Sequence, residues 1–316
     1  MSQGTLYQWM VEIAHRLPAL GKWQVKGLAL FSLGVIGAEH SALTKVAEKL
    51  GAVGKADSLE RRFQRWLSNP RIDMEACWRG WIRWMVSAYD GQRLTLLVDE
   101  TKLGCHLSVM MVGIAYRQRC IPLVWRCYHQ HEGQVTLIQG LLQRIAAAVD
   151  LERPPIVQAD RGIGTSPDLC RAVEALGWQY LFRVQNDTRV CTRQRQAFVP
   201  LQRLVQRPGQ RWSGYGVVFK KHGRFLAYVY VLWDKGQAQP WCLIANDPLI
   251  LGMEYGQRVW QEESFRDLKG GGWQWQRSRV WQPEHANRLV LVLALAYAWT
   301  LSCGTLVLSD PDLTRR

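Results

Sequence analysis

The stretch LTLLVDE at residues 94–100 decides the fold that the sequence predicts. It is short, apolar and partly β-branched, and it ends abruptly in acid, so it indicates a buried strand with Asp99 at its exit. The stretch PIVQADRG at residues 155–162 repeats the arrangement, with Asp160 at the end of a short strand before a Gly-containing turn. Open α/β sheets place ligand sites at such strand ends. Either aspartate alone is equally compatible with capping the turn or helix that follows it.

A third acid stands in the stretch YGQRVWQEESFRDLK at residues 255–269. Offsets of three, four and seven residues separate four functional side chains, Tyr255, Arg258, Glu262 and Lys269. Because an α-helix advances 100° per residue, the sequence predicts that they share one stripe, with one carboxylate among three phosphate-binding groups. A plain solvated helix with ordinary Glu–Arg pairs stays the alternative. Three carboxylates suit two divalent cations, and oxygen-only ligands favour magnesium or manganese over zinc.

Together these stretches resemble the DDE transposases of bacterial insertion sequences, in particular the insertion sequence four type, named for its Tyr-Arg-Glu-Lys (YREK) motif. The motif spacing matches without a gap, and Asp160-Arg161-Gly162 is similar to that family's second-aspartate signature. The resemblance covers about residues 90–303. It implies that the metal-binding catalytic triad is Asp99, Asp160 and Glu262, and that the transposon-end phosphates are held by Tyr255, Arg258 and Lys269.

The resemblance also implies an activity. The protein would bind the inverted-repeat ends of an insertion sequence, cleave to expose 3′-hydroxyls and join them to target DNA, using two Mg²⁺ ions with Mn²⁺ as a substitute. Its partner would be double-stranded DNA, bound by a homodimer in a synaptic complex in the bacterial cytoplasm, at the nucleoid. Two alternatives stay open: a nuclease of the same fold without strand transfer, and a host-adopted, non-catalytic DNA-binding protein.

From residue 91 the sequence predicts an α/β fold. Strands and helices alternate as strand, strand, strand, helix, strand, helix, strand at residues 94–99, 107–116, 121–128, 135–149, 155–160, 166–176 and 179–185. An antiparallel meander followed by helical crossovers fits a ribonuclease-H-like mixed sheet flanked by helices. Asp99 and Asp160 then lie on neighbouring central strands. We assign residues 91–185 and 241–308 to this catalytic domain and residues 309–316 to a tail.

Residues 1–90 form a predicted all-helical domain. Apolar residues recur at helical spacing over residues 23–36, 42–50, 58–67 and 74–87. Residues 44–67 resemble a helix-turn-helix whose second helix Ser58 caps. The side chains expected to face DNA are Arg61, Arg62 and Arg65. A plain helical bundle with a basic outer face is the alternative.

Residues 186–240 form a predicted basic, β-rich insertion in the catalytic fold. Between residues 183 and 240 there are 11 Lys or Arg and two acids, and residues 212–220 and 224–233 alternate as the strands of a hairpin. Basic and aromatic side chains suit a distorted DNA end. The DNA-contact candidates are Arg183, Lys220, Lys221 and, for a flipped base, Trp212 and Trp233. The hairpin's own hydrophobic face is the alternative explanation of the aromatic residues.

Composition agrees with a nucleic-acid enzyme. The 316 residues carry 40 Lys and Arg against 26 Asp and Glu, a formal charge of +14, which attracts polyanions. No secretion signal is recognisable, and eight scattered cysteines without a Cys-x-x-Cys pair indicate reduced core residues. Residues 289–308 are uncharged and nearly long enough to span a bilayer. Polar residues dilute that stretch, so we expect a core helix and no membrane contact, with a membrane span as the alternative.

Overall fold

The structure, a computed structural model, describes residues 3–91, 93–129, 133–221 and 223–309. The described chain is a mixed α/β protein with one large sheet flanked by helices. The α-helices are α1 Gln3–Arg16, α2 Lys22–Ala38, α3 Leu43–Lys49, α4 Ala56–Leu67, α5 Met74–Ser87, α6 Gln134–Ala148, α7 Arg161–Gly164, α8 Pro167–Glu174, α9 Val259–Leu268 and α10 Pro283–Ser309. The strands are β1 Thr95–Leu103, β2 Leu107–Tyr116, β3 Arg119–Tyr128, β4 Ile156–Ala159, β5 Gln179–Arg183, β6 Arg189–Thr192, β7 Arg195–Pro200, β8 Arg211–Val218, β9 Phe225–Leu232 and β10 Trp241–Ala245. The 3₁₀ helices are Leu201–Leu204, Gly252–Arg258 and Trp275–Ser278.

The ten strands form one sheet in the order β3-β2-β1-β4-β5-β10-β9-β8-β6-β7. β1, β2 and β3 make the predicted antiparallel meander, and β4 and β5 pair in parallel with β1 and β4 after helical crossovers. β1 and β4 are therefore neighbours, as predicted; Asp99 lies within β1, whereas Asp160 directly follows β4 and precedes α7. Asp99 is not at the exit of β1, however, because β1 continues to Leu103 against β2 after its pairing with β4 ends at Val98. At Asp99, β4 no longer pairs with β1, whereas β2 continues to pair with β1 as far as Leu103.

Successive side chains of β1 point to opposite faces of the sheet and pack in two separate hydrophobic cores. Leu96 and Val98 belong to the main hydrophobic core, which takes in α6, α10 and the helices of the N-terminal region. Leu97, on the opposite face, packs with Ala115, Cys120 and Trp260. Successive strand residues point to opposite faces, so Asp99 shares the face of Leu97 and meets α9, whereas Glu100 faces the α6 side, where it accepts a hydrogen bond from Gln134.

α10 runs through the main core. Residues 286–297 are buried, as expected for the predicted core helix, and the helix leaves the core over its last turns, where Leu306 and Leu308 are exposed. By length and composition, the helix Pro283–Leu308 could span a membrane. The bent pair α2 and α3 could do so only if its two helices are counted as one span. The burial of residues 286–297 by protein favours the core assignment. Five of the eight cysteines, at 77, 120, 127, 170 and 242, are buried thiols.

The N-terminal region contains helices α1 to α5, and it shares the main core with α10. Arg288 of α10 donates a hydrogen bond of 2.7 Å to the carbonyl of Leu67, at the end of α4. The sequence did not predict α1, since only Trp9 and Ile13 are buried on it. The predicted Ser58 cap is wrong: α4 begins at Ala56, and Lys55 precedes it without a side-chain cap.

The insertion extends the main sheet. β9 pairs with β10, which pairs with β5, and β8, β6 and β7 continue outward from β9. The predicted hairpin is present as β8 and β9, whereas β6, β7 and β10 were not predicted. The Arg- and Gln-rich residues 189–196 have too few apolar side chains to show strand alternation. Of the predicted tail, residues 310–316 lie outside the described residues.

Candidate metal and phosphate site

Asp99 is the centre of the site. Its side chain is 16% exposed, and its two oxygens have different partners. Oδ1 accepts a hydrogen bond of 2.9 Å from the backbone N–H of Glu100, and Oδ2 lies 2.7 Å from Nη2 of Arg258. Burial raises the pKa of Asp99 to about 6 against the lowering effect of Arg258, and the nearby carboxylate of Asp160 adds to the rise. Asp99 is thus a buried acid held by one cation and repelled by a second acid.

Arg258 links the acids. It is 4% exposed, and its Nη1 lies 3.7 Å from Oε1 of Glu262. Burial opposes its charge, but Asp99, Tyr255 and Asp160 together outweigh burial, and the pKa of Arg258 is raised. Neither Nε nor Nη1 has a hydrogen-bond partner among the described residues. A buried guanidinium with two unsatisfied nitrogens carries hydrogen-bonding capacity that the protein itself does not use.

The prediction of one continuous helix through the motif is wrong. Gly252–Arg258 is a 3₁₀ helix, α9 begins at Val259, and Lys269 follows the end of α9. Side chains three apart eclipse in the tighter 3₁₀ turn, so Tyr255 and Arg258 both point inward and are buried. Tyr255 packs edge-on against Trp241, with ring centroids 5.3 Å apart, and burial raises its pKa to about 12.

Glu262 and Lys269 occupy the open side of the site. The Glu262 side chain is 65% exposed and sits in the first turn of α9. Lys269 is half-buried, and its Nζ donates hydrogen bonds to Oγ1 of Thr101 and, at 2.8 Å, to the carbonyl of Lys102. Burial lowers the pKa of Lys269, and Asp99 opposes the decrease. Two motif cations therefore meet β1 on one face, Arg258 at Asp99 and Lys269 at Thr101.

Asp160 does cap a helix, as one reading of the sequence allowed. Its Oδ1 accepts hydrogen bonds of 3.0 Å from the backbone N–H groups of Gly162 and Ile163, at the start of α7. Both bonds use the same oxygen, so Oδ2 takes no part in the cap. Capping fixes the side chain, and it leaves one oxygen for a further interaction.

The acids do not enclose a metal site as they stand. Within residues 3–91, 93–129, 133–221 and 223–309, no three Asp, Glu, His or Cys side chains lie close enough together to hold a metal ion. The donor set itself fits a hard divalent cation, because it consists of carboxylates from two adjacent strands and one helix. The positive charge of Arg258 lies against Asp99 and beside Glu262.

A polar network that the sequence did not reveal holds α9 in place. Asp267 accepts hydrogen bonds from Arg119, at 2.8 Å, and from Tyr297, at 2.9 Å. Ser264 accepts a hydrogen bond of 2.7 Å from the backbone N–H of Cys120. These contacts tie α9 to β3 and α10, and so they position Glu262. The participating residues are far apart in the sequence, and no motif signals them.

The basic candidates outside the motif differ in exposure. Arg61, Arg65, Lys220 and Lys221 are exposed, and Arg62 and Arg183 are half-buried. Arg183 follows the buried core of β5, influences the pKa of Tyr255, and has an Nε without a hydrogen-bond partner among the described residues. It therefore lies at the end of β5, within the predicted catalytic domain, and close to Tyr255 of the motif.

Trp212 and Trp233 are half-buried and pack against the main core. The indole N–H of Trp233 donates to the carbonyl of Gln237 at 2.9 Å. The hairpin's own hydrophobic face therefore accounts for both residues. The ring that the hairpin does expose is Tyr215, at 55%, which packs edge-on against Tyr228.

Comparison with known proteins gives the family. The Transposase DDE domain profile matches residues 104–299, and the chain therefore belongs to that family. The match contains Asp160 and Glu262 and begins five residues after Asp99. Among solved structures, the chain is similar to a piggyBac transposase in a synaptic complex with hairpin DNA, with 13% identity and a TM-score of 0.47, over 95% of this chain and 74% of that one. Among curated proteins none matches.

Proposed function

We propose that the protein is a DNA transposase that cuts the inverted-repeat ends of an insertion sequence and joins the resulting 3′-hydroxyls to target DNA. One observation carries the proposal. Asp99 and Asp160 lie at the point where the paired parallel strands β1 and β4 part, and Glu262 is linked to Asp99 through the guanidinium of Arg258. Three acids in a protein whose net positive charge attracts polyanions suit phosphodiester chemistry.

The finer fold and family assignments belong to the same proposal. The strand order β3-β2-β1-β4-β5, with β1 to β3 antiparallel and β4 and β5 parallel to β1, supports a ribonuclease-H-like catalytic domain at residues 91–185 and 241–308. Residues 1–90 would serve as the DNA-binding domain and residues 186–240 as the insertion. The unbroken spacing of the YREK motif supports the insertion sequence four type.

Divalent ions belong to this chemistry. Asp99, Asp160 and Glu262 would hold Mg²⁺, or Mn²⁺ in its place, with two ions expected from the resemblance. A bound ion supplies positive charge to the phosphoryl oxygens and lowers the pKa of an attacking hydroxyl or water. Arg258 and Lys269 bring cationic donors to the same face of β1, where they would fix the phosphates on either side of the bond that breaks.

The unsatisfied donors of Arg258 favour this role. A phosphate oxygen at Nε or Nη1 would complete the guanidinium's hydrogen bonds, which the described protein atoms leave incomplete. The net charge of +14 supports binding to double-stranded DNA, both ends and target. We propose a homodimer on paired ends, acting in the bacterial cytoplasm at the nucleoid.

The test is a strand-transfer assay with Mg²⁺, labelled duplexes taken from the DNA that flanks the reading frame, and a plasmid target. Wild-type protein is expected to give cut and joined products, and Glu262→Gln neither. Cutting without joining would identify a nuclease of the same fold. Binding by both proteins without any cutting would identify a DNA-binding protein without catalysis, and would overturn the proposal.

A further inference from the structure

A groove separates the N-terminal helices from the segment between α9 and α10. Two adjoining cavities of about 860 and 490 Å³ share five lining residues, Leu43, Gln64, Arg279, Val280 and Trp281. One wall is formed by α3 and α4, and the other by residues 276–282. We call this continuous cleft the α4 groove.

The α4 groove is basic on both walls. Arg65 of α4 lines one side, and Arg277 and Arg279 line the other, against the single acid Glu60 among the residues that line the two cavities. All three arginines are exposed. The groove floor includes Leu43, Leu67 and Val280, so the cations rim an apolar cleft. Arginine guanidinium groups in such an arrangement match phosphate oxygens.

The segment that carries Arg277 and Arg279 is firmly anchored. Trp275 is completely buried, and the carbonyl of Trp273 accepts a hydrogen bond of 2.8 Å from the backbone N–H of Ser41. Gln274 and Arg279 have left-handed backbone conformations, with φ of 54° and 56°, that side-chain-bearing residues rarely adopt. Such conformations persist where the surrounding structure imposes them, and they cluster at functional sites.

The α4 groove is connected to the acid site through β1. The ring of Trp281 stacks on His106, just beyond the end of β1, with centroids 4.6 Å apart. Between Asp99 and that end, Thr101 and Lys102 hold the ammonium group of Lys269. Four residues of strand separate Asp99 from Leu103, about 13 Å at 3.3 Å per residue, which equals about four base pairs of B-DNA.

We infer that the α4 groove binds the phosphate backbone of duplex DNA about four to eight base pairs from the bond that is cut at Asp99. This inference rests on the proposed function and adds to it the path of the DNA flank. With Arg65 on one wall and Arg277 and Arg279 on the other, the groove would grip one strand and join the N-terminal helices to the acid site in one surface. The contacts are to phosphates, so they fix position and carry no base specificity.

The experiment measures binding in EDTA, so that cutting plays no part. Duplexes from the flanking DNA carry single neutral methylphosphonates at successive positions, and they are bound to wild type and to Arg277→Gln/Arg279→Gln. The control is Arg153→Gln. Arg153 precedes β4 and Asp160 follows it, so the two residues lie at opposite ends of this strand. Glutamine is shorter than arginine but stays polar, and both arginines are exposed, so folding should be unchanged.

We expect wild-type affinity to fall when a neutral phosphate lies about four to eight base pairs from the cut. The double variant should have lost that sensitivity, and the slope of log affinity against log salt should be smaller by about 1.8, at about 0.9 per phosphate contact. An unchanged slope and unchanged sensitivity in a variant that still cuts would overturn the groove assignment and leave the proposed function intact. Failure of wild type to bind any flanking duplex would overturn both.

Discussion

Replacement of Arg258 by Met tests whether the acids depend on this buried cation. The change leaves Asp99, 16% exposed, without its partner at 2.7 Å, and it fills a similar volume with an apolar chain. Removing one partner of a buried ion pair leaves the other charge without compensation. Because the pKa of Asp99 is already about 6, its carboxylate can take up a proton near neutral pH once Arg258 is gone, which limits the cost to about 1–2 kcal/mol. At about 2 °C per kcal/mol for a large domain, the melting temperature should fall by about 2–4 °C.

Two control variants test whether the loss of stability comes from the unpaired charge of Asp99. Asp99→Asn/Arg258→Met removes both charges and should recover most of the lost stability. Lys45→Gln breaks the exposed pair with Glu48, whose side chains are 60% and 58% exposed, and should cost less than about 1 kcal/mol. The assay is urea unfolding at neutral pH in EDTA, with far-ultraviolet circular dichroism to confirm the fold.

Divalent ions give the same experiment a second readout. In Arg258→Met the acids are no longer neutralised, so Mn²⁺ at ten times its dissociation constant should restore about 1.4 kcal/mol. It should add less to wild type, where Arg258 competes for Asp99. No measurable loss of stability in the single variant, or equal stabilisation of both proteins by Mn²⁺, would refute the reasoning.

Three further predictions concern the same site. Burial raises the pKa of Asp99 from its ordinary 3.8 to about 6, so between these pH values the folded protein keeps a proton that the unfolded chain has lost. Relative to Asp99→Asn, wild type in EDTA should therefore lose about 2 kcal/mol of unfolding free energy as the pH rises from about 4 to about 6, and parallel curves would contradict this. Asp160→Asn and Glu262→Gln should abolish cutting in a gel assay and leave DNA affinity within about twofold, since neither reduces the basic surface; retained cutting in either would remove that residue from the catalytic set. Lys269→Gln should lower the salt slope of end binding by about 0.9, in contrast to an unchanged slope for Arg266→Gln, which removes an exposed cation that pairs with the half-buried Glu263.

Much of the sheet was predictable because strand patterns and strand-helix-strand connections can be recognised in short stretches of sequence. Most apolar runs bounded by turns gave predicted strands, although the apolar β10 was missed. A strand-helix-strand crossover makes neighbouring parallel strands common, which placed Asp99 beside Asp160. The match of predicted and observed bounds is close for β2 and α5. The strands β6 and β7 were missed because their pairing with β8 and with each other depends on distant partners more than on their own apolar pattern.

The geometry of the motif was less predictable. Offsets of three and four residues are compatible with a 3₁₀ turn and with an α-helix, so the sequence did not reveal that Tyr255 and Arg258 precede α9 and point inward. Nor does a sequence say which acid a buried arginine will meet, because Asp99 is 159 positions away from Arg258. The exposure of Tyr215 in place of Trp212 likewise depends on which face of the hairpin the core covers.

The most direct test of the central claim, that Asp99 binds a divalent metal ion, replaces its oxygen ligand atoms with sulfur. In Asp99→Cys a thiolate replaces a carboxylate, and thiolates are poor ligands for Mg²⁺ but accept softer ions such as Mn²⁺. Cutting of flanking-DNA duplexes should therefore be absent with Mg²⁺ and measurable with Mn²⁺, whereas wild type should cut with both. Equal cutting with the two ions by an Asp99→Cys variant that folds and binds DNA normally would contradict the assignment of Asp99 as a metal ligand.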